Sequence, residues 1–103
     1  MTYLRVKWLH QFSQHPILLF SELDDQRFEI RKVEVFHDGR QEFANENEEY
    51  GGTGLGVVPT LELDELAANP VFEPELIAQS EFEMVWAGRL GKYVEQPRWD
   101  TSI

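Results

Sequence analysis

Apolar and polar residues alternate from the start of the chain. Leu4, Val6, Trp8 and His10 share one phase and Tyr3, Arg5, Lys7 and Leu9 the other, which is the period of a half-buried strand. After a turn around residues 13–16, residues 17–23 form a second candidate strand, Asp24-Asp25-Gln26 supplies turn chemistry, and residues 27–36 form a third. Within that third segment the apolar phase slips from Phe28 and Ile30 to Val33 and Val35, so one extra residue near Arg31-Lys32 is needed to keep the same face inward; this predicts a bulge. Asp38-Gly39 predicts a type I′ hairpin with positive φ at both central positions, returning the chain as a fourth strand over 41–44.

Periodicity then fades. Residues 45–60 read as a loop rich in Glu and Gly, long enough to be a functional candidate. Residues 61–68 suit a short helix with Glu62, Asp64 and Glu65 at its positive end, stopped by Asn69-Pro70, while Pro74 argues against a central strand over 71–77. Residues 81–90 carry the strongest helical stripe, Phe82, Val85, Trp86 and Arg89, with Ser80 and Glu83 at capping-box spacing and Gly91 placed to end it. The expected fold is α+β: an antiparallel sheet of about four strands packed on one face by this C-terminal helix, plus the short second helix. Phe82, Val85 and Trp86 are expected to face Leu4, Val6, Trp8, Ile30 and Val33. A single domain should span residues 1–91, with 92–103 a tail that frays or docks through Trp99.

Charge changes the picture more than size does. Residues 1–40 hold six acids and six bases, whereas residues 41–88 hold eleven carboxylates and no Lys or Arg, so the net charge of −10 is concentrated in the second half. Such a field attracts basic partners and repels nucleic acid and anionic membranes. At 42% hydrophobic and 13% aromatic, the chain can bury a core and is no disordered acidic tail. It has no cysteine, so disulfides, thiolate metal sites and thiol nucleophiles are excluded. The alternating N-terminus and the lack of a long apolar run lead to the expectation of a soluble, cytoplasmic protein.

The stretches Glu22-Leu23-Asp24-Asp25-Gln26-Arg27-Phe28-Glu29-Ile30-Arg31-Lys32-Val33-Glu34-Val35-Phe36 and Glu48-Glu49-Tyr50-Gly51-Gly52-Thr53-Gly54-Leu55-Gly56, followed by Phe82-Glu83-Met84-Val85-Trp86, resemble a family of small acidic bacterial domains of unknown function. The resemblance runs over roughly residues 3–87. It implies a bacterial source and brings no catalytic residue with it.

Among candidate sites, Glu46, Glu48, Glu49 and Tyr50 place three carboxylates and a phenol within five residues. A partner's Arg or Lys could form charge-assisted bonds to the acids while Tyr50 serves as a flat anchor; otherwise this is a solvated loop with Tyr50 over the sheet edge. Glu62, Asp64 and Glu65 are a second acidic group. Calcium is disfavoured, because the segment lacks EF-hand spacing and its central glycine. The Gly51–Gly56 run lacks the Lys-Ser/Thr of a phosphate loop and follows three glutamates. His10, His15 and His37 have no zinc spacing, and their default reading is structural. The alternating charges between Glu22 and Glu34 are explained by cross-strand pairing, and the aromatic residues by core burial. No cofactor is expected. The favoured function is an acidic protein-binding domain, an immunity or inhibitor protein that covers the basic surface of a bacterial toxin such as a nuclease. The alternatives are an acidic adaptor for another protein partner, or a small enzyme using carboxylates or His.

Overall fold

The computed structural model describes residues 1–95. Its strands are β1 (Thr2–Trp8), β2 (Leu18–Leu23), β3 (Glu29–Val35), β4 (Gln41–Asn45), β5 (Glu49–Tyr50) and β6 (Phe72–Leu76); its helices are α1 (Leu63–Ala67) and α2 (Gln79–Ala87). All pairings are antiparallel, and the strand order is β5-β4-β3-β2-β1-β6. The expectation of about four strands packed on one face by a C-terminal helix, plus a short second helix, is therefore corrected: among the described residues the sheet has six strands and is accompanied by two short helices. Two physical reasons account for the difference. β5 is only two residues long, too short to show a period. β6 contains Pro74, which is admissible because the strand pairs on one side only, with β1, and forms the edge of the sheet.

Strand alternation divides the core between the two faces. Tyr3, Leu18, Phe20, Val33, Val35 and Phe43 lie with Phe82 of α2 on one face. Leu4, Val6 and Leu23 form a smaller cluster with Leu63 and Leu66 of α1 and Phe72 of β6 on the other. The helical stripe of α2 thus meets the Tyr3 phase of β1 and not the expected Leu4, Val6 and Trp8 phase. Tyr3 is buried as well as Leu4 and Val6, and the charged Arg5 and Lys7 that share its phase hide that face in the apolar pattern.

β3 carries the expected irregularity one residue earlier than expected: Glu22 is opposite Arg31 but Leu23 is opposite Glu29, leaving Ile30 as the extra residue. The Asp38-Gly39 hairpin also differs from expectation. Phe36 N–H donates to Arg40 C=O at 2.9 Å and only Gly39 has positive φ (87°), so the loop has three residues and not two. The β2–β3 turn repeats this form with Arg27 at φ 68°, where Asp24 Oδ1 accepts the N–H groups of Gln26 and Phe28. Helix α2 starts two residues before the expected boundary. Its N-cap is Ala78, Ser80 lies inside it, and Gly88, not Gly91, ends it. Glu83 is drawn away from the expected capping box to Arg31 of β3.

Candidate partner-binding surface

The segment expected as a loop opens with a tight hairpin. Asn45 Oδ1 accepts the N–H groups of Asn47 (2.8 Å) and Glu48 (2.9 Å), and Asn45 N–H donates to Glu48 C=O at 2.9 Å. This Asx geometry is why the polar run 45–48 turns and lets β5 pair with β4, Phe43 opposite Tyr50 and Ala44 opposite Glu49. Glu46 is exposed in the turn, and Tyr50, 55% exposed, stacks on Phe43 at 4.9 Å with the rings 6° apart. Glu48 lies 3.8 Å from Nη2 of Arg89 just beyond α2.

Behind the hairpin the glycine run crosses carboxylates of its own chain. A Cβ on Gly51, whose φ is +83°, would come within 2.5 Å of Glu42, and one on Gly54 within 2.6 Å of Glu49. Gly56 N–H donates to Glu29 Oε1 at 2.6 Å. Glu29 also takes Ser21 Oγ–H (3.2 Å) and Lys32 Nζ (3.1 Å). Arg27 then fastens the end of the segment: its Nε donates to Thr60 C=O (2.9 Å) and Nη2 to Leu61 C=O (2.6 Å). Glutamates thus occupy the side that a phosphate would need. Gly51→Ala should cost about 1–2 kcal/mol, since the left-handed conformation penalises a Cβ before Glu42 is even displaced. Urea denaturation checks this; an unchanged midpoint would mean that the segment relaxes freely.

The second acidic group lies at the start of α1. Glu62 is 3.5 Å from Arg27 Nε, Glu65 Oε1 accepts Glu62 N–H at 3.0 Å, and Asp64 is exposed. α1 packs beside β6 and over Leu4, Val6 and Leu23, with Glu62 reaching Arg27 in the β2–β3 turn, whereas Glu46, Glu48, Glu49 and Tyr50 belong to the hairpin at the β5 edge. The two acidic groups are thus carried by different elements, the β4–β5 hairpin and the start of α1.

Most of the chain's cations are held internally. Arg31 is the strongest case: Nε and Nη2 donate to Glu22 at 2.6 and 3.0 Å, Nη1 and Nη2 to Glu83 at 2.9 and 2.7 Å, and its Cζ is 4.9 Å from the Phe82 ring centroid. Hydrogen bonds from Arg31 hold the carboxyls of Glu22 and Glu83 below their ordinary range and push the guanidinium further up. Burial, then the hydrogen bond it donates to Glu22 at 2.8 Å, raises the Tyr3 phenol. Arg5 pairs with Glu75 and Glu95, Arg27 with Glu62, Lys32 with Glu29 and Arg89 with Glu48. Glu46, Glu49 and Asp64 have no cationic partner among the described residues.

The three histidines, far apart in sequence, meet at one end of the sheet. The His10 ring is 6.0 Å from His15 and 5.8 Å from His37, with Trp8 at 4.6 Å. His10 Nδ1 accepts Phe12 N–H (3.0 Å), so Nε2 is the donor to Pro16 C=O (2.7 Å) and both ring nitrogens are engaged. No group of three His, Asp or Glu among the described residues is arranged to hold a metal ion. Nearby, Ile17, Val35, Phe36, His37, Tyr93 and Glu95 line part of an open recess of about 350 Å³. Residues 92–95 are held against the domain, Tyr93 N–H donating to Gly39 C=O at 2.8 Å; Trp99 lies outside the described residues.

Reasoning from sequence missed Phe43, Trp86 and Arg89 as parts of this surface. The available signal was Arg89 itself, the first base after 48 residues without one. Among the described residues no helix is long and apolar enough to cross a membrane. A family profile for a domain of unknown function, DUF6881, matches residues 2–91. No curated protein and no solved structure matches the chain.

Proposed function

Because the chain belongs to the DUF6881 family of domains of unknown function, its role has to be argued from its own surface, and we propose that it is a protein-binding domain that captures a basic protein. The form we favour is an immunity or inhibitor protein that covers the cationic surface of a bacterial toxin from within the cytoplasm. One observation carries the reading: Glu46 and Glu49 on the edge hairpin have no cationic partner among the described residues, while five bases are already paired with other carboxylates. Exposed, uncompensated carboxylates beside an exposed aromatic ring suit fast electrostatic encounter followed by a stacked anchor. The α1 acids, Glu62, Asp64 and Glu65, add to the same acidic field from a second element.

Glu46→Lys, Glu48→Lys and Glu49→Lys together are expected to leave the fold within about 1 kcal/mol of wild type, since all three residues are exposed and the Glu48 pair is long. In cells producing the toxin, wild type should protect and the triple variant should not. With purified components, stopped-flow association should slow as salt rises while dissociation changes little. Full protection by the folded triple variant removes the hairpin as the contact. A salt-independent association rate removes electrostatic capture.

A further inference from the structure

A guanidinium of the chain itself occupies the aromatic part of the proposed contact surface. Arg89 Cζ is 4.1 Å from the Trp86 ring centroid and 4.9 Å from that of Phe43, on which Tyr50 stacks. Glu48 supplies the carboxylate at 3.8 Å, and the Trp86 carbonyl accepts Nη1–H at 2.9 Å. Two rings, a carboxylate and a carbonyl around one planar cation form a binding site for arginine, whichever chain the arginine comes from.

Arg89 fills this site poorly. Among the described residues its buried Nε has no hydrogen-bond partner, and its only ion pair is at 3.8 Å to a carboxylate that is half exposed. Arg31, on the same face of the sheet, makes four hydrogen bonds of 2.6–3.0 Å to two carboxylates. Arg89 is thus held by fewer and longer polar contacts than Arg31.

We propose that the Phe43–Trp86–Glu48 slot, with Tyr50 at its rim, receives an arginine side chain of the basic partner, and that Arg89 is an internal occupant which leaves when the partner binds. This rests on the basic-partner reading and specifies it: the partner presents arginine and not lysine at this point. Arginine stacks flat on the rings, is weakly hydrated and brings five donors, whereas an ammonium is a hydrated point charge that gains less from the same walls. Exchange of one guanidinium for another keeps the slot filled in both states, so Arg89 lowers the partner's apparent affinity by competing with it.

The test is calorimetric titration of hexa-arginine and hexalysine peptides into wild type, Arg89→Ala and Arg89→Lys at low salt, with folding verified by circular dichroism. Both peptides carry the same charge, so the ratio of their affinities cancels the general attraction of an acidic surface. The preference for hexa-arginine should rise about tenfold in Arg89→Ala and by less in Arg89→Lys, which keeps the net charge but not the planar stack. Adding Glu48→Gln to Arg89→Ala should lose part of that gain. If the ratio is unchanged in both Arg89 variants while the peptides still bind, the arginine slot is wrong and acidic capture stands. If neither peptide binds any form of the protein, acidic capture fails and the slot with it.

Discussion

Phe82→Ala is expected to lower stability by about 3–5 kcal/mol, the cost of deleting a buried aromatic ring whose cavity does not collapse. Phe82 is fully buried, and it is the only residue of α2 to be so. Its ring is 5.5 Å from that of Tyr3 and 6.5 Å from that of Trp86, and the Arg31 guanidinium lies over it. The truncation therefore removes the contact that seats the helix on the sheet. Trp86, also on the apolar stripe, is only half-buried, and Trp86→Ala should cost less than Phe82→Ala. Urea unfolding of both variants decides the order. A Phe82→Ala midpoint equal to wild type would show that α2 does not depend on this ring.

Arg31→Met should be of similar severity, about 3–5 kcal/mol, because it strands the nearly buried Glu22 carboxylate without its cation. Tyr3 still donates to Glu22, which is too little to replace a bidentate guanidinium. Adding Glu22→Gln should recover much of the loss, since a neutral amide costs far less to bury than an unpaired charge. If Arg31→Met unfolds at the wild-type midpoint, the network contributes nothing net and the argument from burial fails.

The same network sets an acid limit. Glu22 and Glu83 are held by Arg31 below their ordinary value of 4.5. Their contribution is complete above that value and is lost as the pH falls through the lower values of the folded state, where the unfolded chain binds more protons. Stability followed by urea titration should therefore decline below about pH 4.5. In Arg31→Met the gap from wild type should narrow there, since protonation relieves the stranded Glu22. A gap that does not change with pH would exclude Glu22 as the source of the loss.

Four of the six strands and both helices were legible from local pattern, because alternation and helical stripes record burial directly. The presence of a bulge in β3 was legible too, since a slip of apolar phase has few other remedies; its place at Ile30 depended on the register with β2. β5 was hidden because it is made by the Asn45 turn and by pairing with β4, not by any period of its own. β6 was hidden because Pro74 argues against a strand until the strand is known to be an edge.

For the surface, the sequence by itself determined an excess of acid after Arg40 and a cluster at Glu46, Glu48, Glu49 and Tyr50. Charge and its order along the chain are one-dimensional properties. Only the tertiary structure decided that Glu62 is held at Arg27 of the β2–β3 turn, that the three histidines meet, and that Arg89 reaches back across 41 residues to Glu48 beside Phe43 and Trp86. Each is a contact between distant parts of the chain. Such contacts follow from sheet order and from which face a helix covers, and here α2 covers the face of β1 that carries Tyr3 together with the charged Arg5 and Lys7.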